Sequence, residues 1–131
     1  MNPGPAPEEI VRLALEAISD GDAERLQPLL APGVTIRTGR ARHEGMDAAL
    51  AWARKGYDHL DRRYALVGLD PVGDPADGMF VAEARVEYVW RETGEVGDAT
   101  PIHLAIELHD ALIGRLELHD DTASARLALS S

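Results

Sequence analysis

The stretch Ala84-Arg-Val-Glu-Tyr-Val-Trp90, followed by a turn at Thr93-Gly94 and the run Pro101-Ile-His-Leu-Ala-Ile-Glu-Leu-His109, decides the fold. Alternation at period two puts Phe80, Ala82, Ala84, Val86, Tyr88 and Trp90 on one face of a long strand. The other face carries Val81, Glu83, Arg85, Glu87, Val89 and Arg91. Such a strand, paired with a second long one, offers an oily, aromatic-tipped face that lines either a core or a pocket for an apolar small molecule.

Working outward, the segment before this meander reads as helical. Pro7, Glu8 and Glu9 suit a first helical turn, where a missing N–H costs nothing and negative charge meets the positive dipole end. Ile10, Leu13, Ala14, Ala17 and Ile18 form a stripe, and Gly21 stops it. Asp22 caps a short second helix that carries Leu26, Leu29 and Leu30 and is bent by Pro28. Val34 to Arg37 reads as a brief strand, 38 to 45 as a polar loop, Asp47 to His59 as a third helix and Tyr64 to Leu69 as a strand. Asp70 to Gly78 is a Pro/Gly loop, and Leu112 to His119 is the last strand. Helices first and a meander last imply an α+β domain over 7–121, with a tail at 1–6 and another at 122–131.

Composition narrows the function classes. The 131 residues suffice for one domain with its own core. A formal net charge of −10 disfavours nucleic acid and anionic membranes as partners, because an acidic surface repels both. There is no cysteine, which removes disulfides and thiolate metal sites. The N-terminus lacks the charged and apolar regions of a signal peptide, and no apolar run approaches the roughly 20 residues of a membrane span. A cytoplasmic location is the expectation.

The element order, together with Gly21-Asp22, Glu44-Gly45 before the third helix and Arg85-Val-Glu-Tyr-Val-Trp90, resembles the nuclear transport factor 2-like superfamily. That group includes bacterial ketosteroid isomerases, SnoaL-type polyketide cyclases and limonene-epoxide hydrolase. The resemblance spans about Glu8 to Asp121 and implies a cone: a curved antiparallel β-sheet wrapped around N-terminal helices, open at one end to a ligand pocket, with dimers through the outer sheet face. It also removes the familiar catalytic groups. Where ketosteroid isomerases keep an oxyanion-donor Tyr, a base Asp and a protonated Asp, the matching positions look like Ala14, Thr38 and His103. The epoxide hydrolase's Asp-Arg-Asp set falls on Ala84, Val86 and Leu118. Arg85 and Glu87 imitate its spacing from the outer face, which a one-residue register shift would reverse.

A hairpin closed at Asp110-Ala111 sets His103 opposite Leu118 and Pro101 opposite Asp120. His103 and Asp120 then become diagonal neighbours about 7–8 Å apart on the pocket face, a carboxylate orienting an acid/base imidazole. Asp-Ala departs from the Asn-Gly or Asp-Gly that tight hairpins favour, and a bulge near Gly114 would shift this register. In that register Trp52, Phe80, Val86, Tyr88, Trp90, Leu116, Leu118 and Thr38 line the pocket, while Ile102, Leu104, Ile106 and Leu108 face outward as a dimer surface. Arg37, Arg40, Arg42 and His43 gather near the mouth, His43-Glu44-Gly45 being turn chemistry first. In the row His103, Glu107, His109, strand neighbours two apart lie about 6–7 Å from one another, so a metal would need help from His43 or His119. No metal and no cofactor are expected. The implied function is binding of an apolar, cyclic, oxygenated ligand, as a cofactor-independent isomerase, cyclase or hydrolase or as a non-catalytic binding module.

Overall fold

The computed structural model describes residues 6–38, 41–54 and 60–130. Most of the N-terminal tail, Arg40 and the expected end of the third helix lie outside them. Pro7 opens α1 (Pro7–Ser19), with Glu8 and Glu9 in its first turn. Its buried side differs from the stripe expected from the sequence: Val11 and Leu15 join Ile10, Ala14, Ala17 and Ile18, while Leu13 is only half-buried. Gly21 ends it in the left-handed region at φ +64, where a side chain would be strained. The Asp22 carboxylate then accepts from the Arg25 N–H at 3.2 Å and caps α2 (Ala23–Leu26). Pro28 falls in a 3-10 turn, Gln27–Leu29, so the second helix is a single turn.

The strands are β1 (Leu30–Thr38), β2 (Ala41–Glu44), β3 (Leu60–Pro71), β4 (Met79–Trp90), β5 (Val96–His109) and β6 (Leu112–His119), with α3 (Met46–Arg54) between β2 and β3. The loop expected at 38–45 thus contains a strand. Among the described residues they form one curved sheet in the order β2-β1-β6-β5-β4-β3. All neighbours are antiparallel except β1 and β6, which run parallel. α1 and α3 pack against the inner face. Ser19 pins α1 to the sheet: its hydroxyl donates to the Leu15 carbonyl at 2.7 Å and accepts the Tyr64 N–H at 2.8 Å.

One bulge decides which way β5 faces. His109 pairs with Leu112 and Leu108 with Ile113, across a two-residue turn in which Asp110 and Ala111 both have positive φ. Gly114 is then left unpaired, and Glu107 meets Arg115 rather than Gly114. Beyond the bulge His103 lies opposite His119 instead of the expected Leu118, and Leu104 lies opposite Leu118. Since side chains alternate, the one-residue slip turns β5 over relative to β6. Leu104 and Ile106 are buried with Ala82, Ala84 and Phe80 in the main core, and Ile102 packs against it. The apolar row expected outside is inside. Being inside, it does not form the expected dimer surface.

The outer face has its own cover. The segment expected as a tail at 122–131 forms α4 (Thr122–Ser130). Asp121 caps it by accepting the Ser124 N–H at 2.7 Å. Ala125 and Leu129 pack on Val81 and Ala105, whose small or β-branched side chains let the helix approach the sheet. Arg115 ties the helix down by donating to the Ala128 carbonyl at 2.9 Å and to Glu117 at 2.9 Å. Glu117 is a charged residue only 6% exposed, and His119 lies 3.3 Å from its other oxygen, so burial of this carboxylate is offset by partners. Among the described residues no helix is long and apolar enough to cross a membrane.

Candidate functional site

The register of β1 and β2 creates one wall of the site. Ile36 pairs with His43 and Thr38 with Ala41, so these four residues share the inner face, while Arg37 and Arg42 pair on the other. Ile36 is fully buried in the core. Beside it His43, and two residues further out Thr38 and Ala41, rim a cavity of about 330 Å³ at the open end of the cone. Its lining is completed by Trp52 from α3, Arg62 and Tyr64 from β3, Tyr88 from β4 and Leu118 from β6. Arg62 pairs with Tyr88 across β3 and β4, which explains why both reach the same space.

The geometry around Trp52 sets the chemistry. The His43 and Trp52 ring centroids are 6.1 Å apart with planes inclined by 34°. The Arg62 guanidinium carbon is 5.8 Å from the indole centroid, inside the range of a cation–π contact. His43 Nε2 is buried and makes no hydrogen bond among the described residues. A buried polar atom without a partner costs free energy, so it marks a place where a ligand group would be stabilising.

Of the residues expected in the pocket, Thr38, Trp52, Tyr88 and Leu118 come together in this cavity. Phe80, Val86 and Leu116 are buried instead within the wall. Trp90 lies at the β4–β5 turn, in a hollow of about 420 Å³ made with Glu92, Thr93 and Glu95. That hollow is larger, but a single turn builds it and Trp90 is 47% exposed, so the cavity in the cone is the better candidate. His103 sits on the outer face, where its Nδ1 is 3.2 Å from the Thr122 hydroxyl. Asp120 is exposed and borders a second cavity of about 400 Å³ with Arg37, Ile102, His119 and Ser124, which among the described residues meets the first only at Leu118. His103 and Asp120 are thus not brought together on the pocket wall, because the Gly114 bulge removes the register that paired them.

The polar row of β5 points outward too. Glu107 is 3.5 Å from Arg115 and 3.9 Å from His109. Among the described residues no three His, Asp or Glu side chains come together as metal ligands. Of the arginines expected at the mouth, Arg42 pairs with Glu44 at 2.9 Å on the exposed side. Arg62 and Tyr64 were missing from the expected lining. The signal was present, since Arg62 and Tyr64 alternate with Arg63 as inward positions of a strand that starts earlier than Tyr64.

Comparison with solved structures agrees with this architecture. A nuclear transport factor 2-like protein of unknown function from Burkholderia pseudomallei superposes with a TM-score of 0.68 at 18% identity, covering 95% of this chain and 97% of that one. The fold is that of the nuclear transport factor 2-like proteins. A Δ5-3-ketosteroid isomerase from a Mycobacterium species superposes with a TM-score of 0.69 at 16% identity, over 88% of this chain and 93% of its own. An epoxide hydrolase from M. tuberculosis, of the limonene-epoxide hydrolase-like type, gives 0.68 at 14% identity, over 92% and 88%. At such identities the likeness concerns the fold, and activity has to be argued from the site. No protein-family model and no curated protein matches the sequence.

Proposed function

We propose that the open end of the cone binds a cyclic, oxygenated small molecule against Trp52 and Tyr88, and that His43 transfers a proton to or from it. The observation that carries this is the buried, unpartnered Nε2 of His43 in the cavity lining. An imidazole nitrogen can give or take a proton without a cofactor. The volume of about 330 Å³ falls at the lower end of the ~300–1,000 Å³ typical of small-molecule sites. Tyr64, Tyr88 and Thr38 add hydroxyls suited to a carbonyl or hydroxyl of the guest.

A second reading is a binding protein without turnover. It is favoured by the positions that resemble the isomerase catalytic set: Ala14 is buried and apolar, Thr38 has no carboxylate to act as a base, and His103 is on the outer face. One experiment separates the two. Hydrogen–deuterium exchange at the α-carbon of small cyclic ketones such as 2-tetralone is followed by NMR in D2O, with and without protein. Proton transfer by His43 accelerates exchange, and His43→Gln removes the acceleration by about 100-fold or more. Saturable binding with no acceleration in the wild type supports the binding-only reading and removes the catalytic one.

A further inference from the structure

We infer that a second site, beside the cone, takes a small zwitterion: an α-amino acid with an apolar side chain. It is the cavity of about 400 Å³ at the rim of the sheet, where β1 and β6 end beside the first turn of α4. Its size lies within the ~300–1,000 Å³ typical of small-molecule sites. Among the described residues its lining has two parts: Ile102 and Leu118 are apolar, and Arg37, His119, Asp120 and Ser124 are polar. Leu118 is the described residue that it shares with the cone cavity.

The register explains why both charges at this rim are uncommitted. Arg37 lies beside Glu117 across the β1–β6 pair, where a strand surface ordinarily forms an ion pair. Both Glu117 oxygens are already engaged: Oε2 accepts from Arg115 Nε at 2.9 Å, and Oε1 lies 3.3 Å from His119 Nε2. On its other side Arg37 meets Arg42, a like charge. The cap of α4 is Asp121, not Asp120. Among the described residues neither Arg37 nor Asp120 therefore has an ion pair, although the two border one cavity.

Opposite charges that face one cavity without pairing fit a ligand that carries both. A carboxylate matches the Arg37 guanidinium through two parallel N–H···O bonds. The neighbouring ammonium donates to the Asp120 carboxylate and to the Ser124 hydroxyl, which gives its own proton to Asp121 and keeps its lone pairs. The side chain then rests on Ile102 and Leu118. A ligand with one charge leaves the opposite group without a partner, and an apolar one leaves both. Arg37 and Asp120 are exposed, so water and salt screen each contact and the affinity is roughly millimolar.

Titration of isotope-labelled protein, read by amide shifts in NMR, tests this with L-leucine, L-leucinamide and N-acetyl-L-leucine. The amide lacks the carboxylate, and the acetyl compound lacks the ammonium. L-Leucine is expected to move the amides of Ile102, Leu118, Asp120 and Ser124 saturably, and to bind at least about fivefold more tightly than either analogue. Arg37→Gln is expected to weaken L-leucine about fivefold while leaving L-leucinamide within about twofold. Asp120→Asn is expected to weaken L-leucine about as much while sparing N-acetyl-L-leucine. L-Phenylalanine, run alongside, frees the test from the choice of side chain, and circular dichroism checks that each variant folds. An analogue binding as tightly as L-leucine would overturn the zwitterion. Wild-type affinity for L-leucine in both folded variants would overturn the roles of Arg37 and Asp120. No saturable shift with either amino acid would overturn the site. Shifts confined to the Trp52 indole and Tyr88 would overturn it too, while leaving the cone as a small-molecule site.

Discussion

Replacing Leu104 and His103 separately by Ala asks which face of β5 is buried. Leu104 is 1% exposed and lies between Ala82 on β4 and Leu118 on β6. Leu104→Ala removes three carbons, each worth about 0.8 kcal/mol of transfer free energy, or roughly 2.4 kcal/mol. Ala82 is too small to fill the space, so a residual cavity adds about 1 kcal/mol, giving a total of about 3.5 kcal/mol. His103 is half-buried on the other face and makes a side-chain contact with Thr122, so His103→Ala costs about 1 kcal/mol or less. In urea, with a slope of about 2 kcal/mol per molar, the Leu104 variant's midpoint falls by roughly 1.7 M and the His103 variant's by no more than about 0.5 M. Equilibrium unfolding followed by far-ultraviolet circular dichroism reads both. If His103→Ala proves the costlier change, β5 is turned the other way and Gly114 is not bulged out of the ladder.

Three further outcomes follow from local geometry. Gly78 has φ +77, its carbonyl accepts the Leu108 N–H at 2.7 Å, and a Cβ there would run into the Leu108 carbonyl oxygen. Gly78→Ala is therefore expected to destabilise by about 3 kcal/mol, from left-handed strain and a displaced backbone, as measured by thermal or urea unfolding. Ala111 sits at φ +66 in the tight β5–β6 turn, so Ala111→Gly is expected to stabilise by about 0.5–1 kcal/mol, raising the melting temperature by a few degrees. The Asp121 carboxyl is held below the usual carboxylate range, first by the Ser124 backbone N–H and then by the Ser124 side chain, with smaller help from His103 and His119. Because its folded pKa is depressed, its support of α4 is present above the unfolded-state value and is lost as the pH falls through the folded one. Amide exchange by NMR should accordingly show α4 opening before the sheet in acid, and Asp121→Ala should open the same turn at neutral pH.

The elements with a local cause were legible in the sequence. Pro7 with two glutamates starts α1, Gly21 stops it, Asp22 caps α2, and strict alternation from Phe80 to Val86 gives β4 and its inner face. The bounds of β6, Leu112–His119, and the inward Leu116 and Leu118 could be read in the same way. Each rests on dihedral preference, dipole or period within a few residues. Half of the cavity lining, Thr38, Trp52, Tyr88 and Leu118, could also be placed from the sequence and its family resemblance. α4 was obscured because its small residues make a faint stripe whose burial depends on Val81 and Ala105, more than 15 positions upstream.

What tertiary structure decided was which faces meet. Gly114 costs little to insert and carries no Cβ to object, yet leaving it unpaired moves His103 out of the cone and Leu104 into it. The apolar row Ile102, Leu104, Ile106 and Leu108 held the hint, since four alternating aliphatics gain more from burial than His103, Glu107 and His109 do. The assembly of His43, Arg62 and Tyr64 about Trp52 depends on the β1–β2 and β3–β4 pairings and on the packing of α3. Period fixes the alternation along a single strand, but the register between strands is a property of the whole sheet, where a single unpaired residue reverses every side chain beyond it.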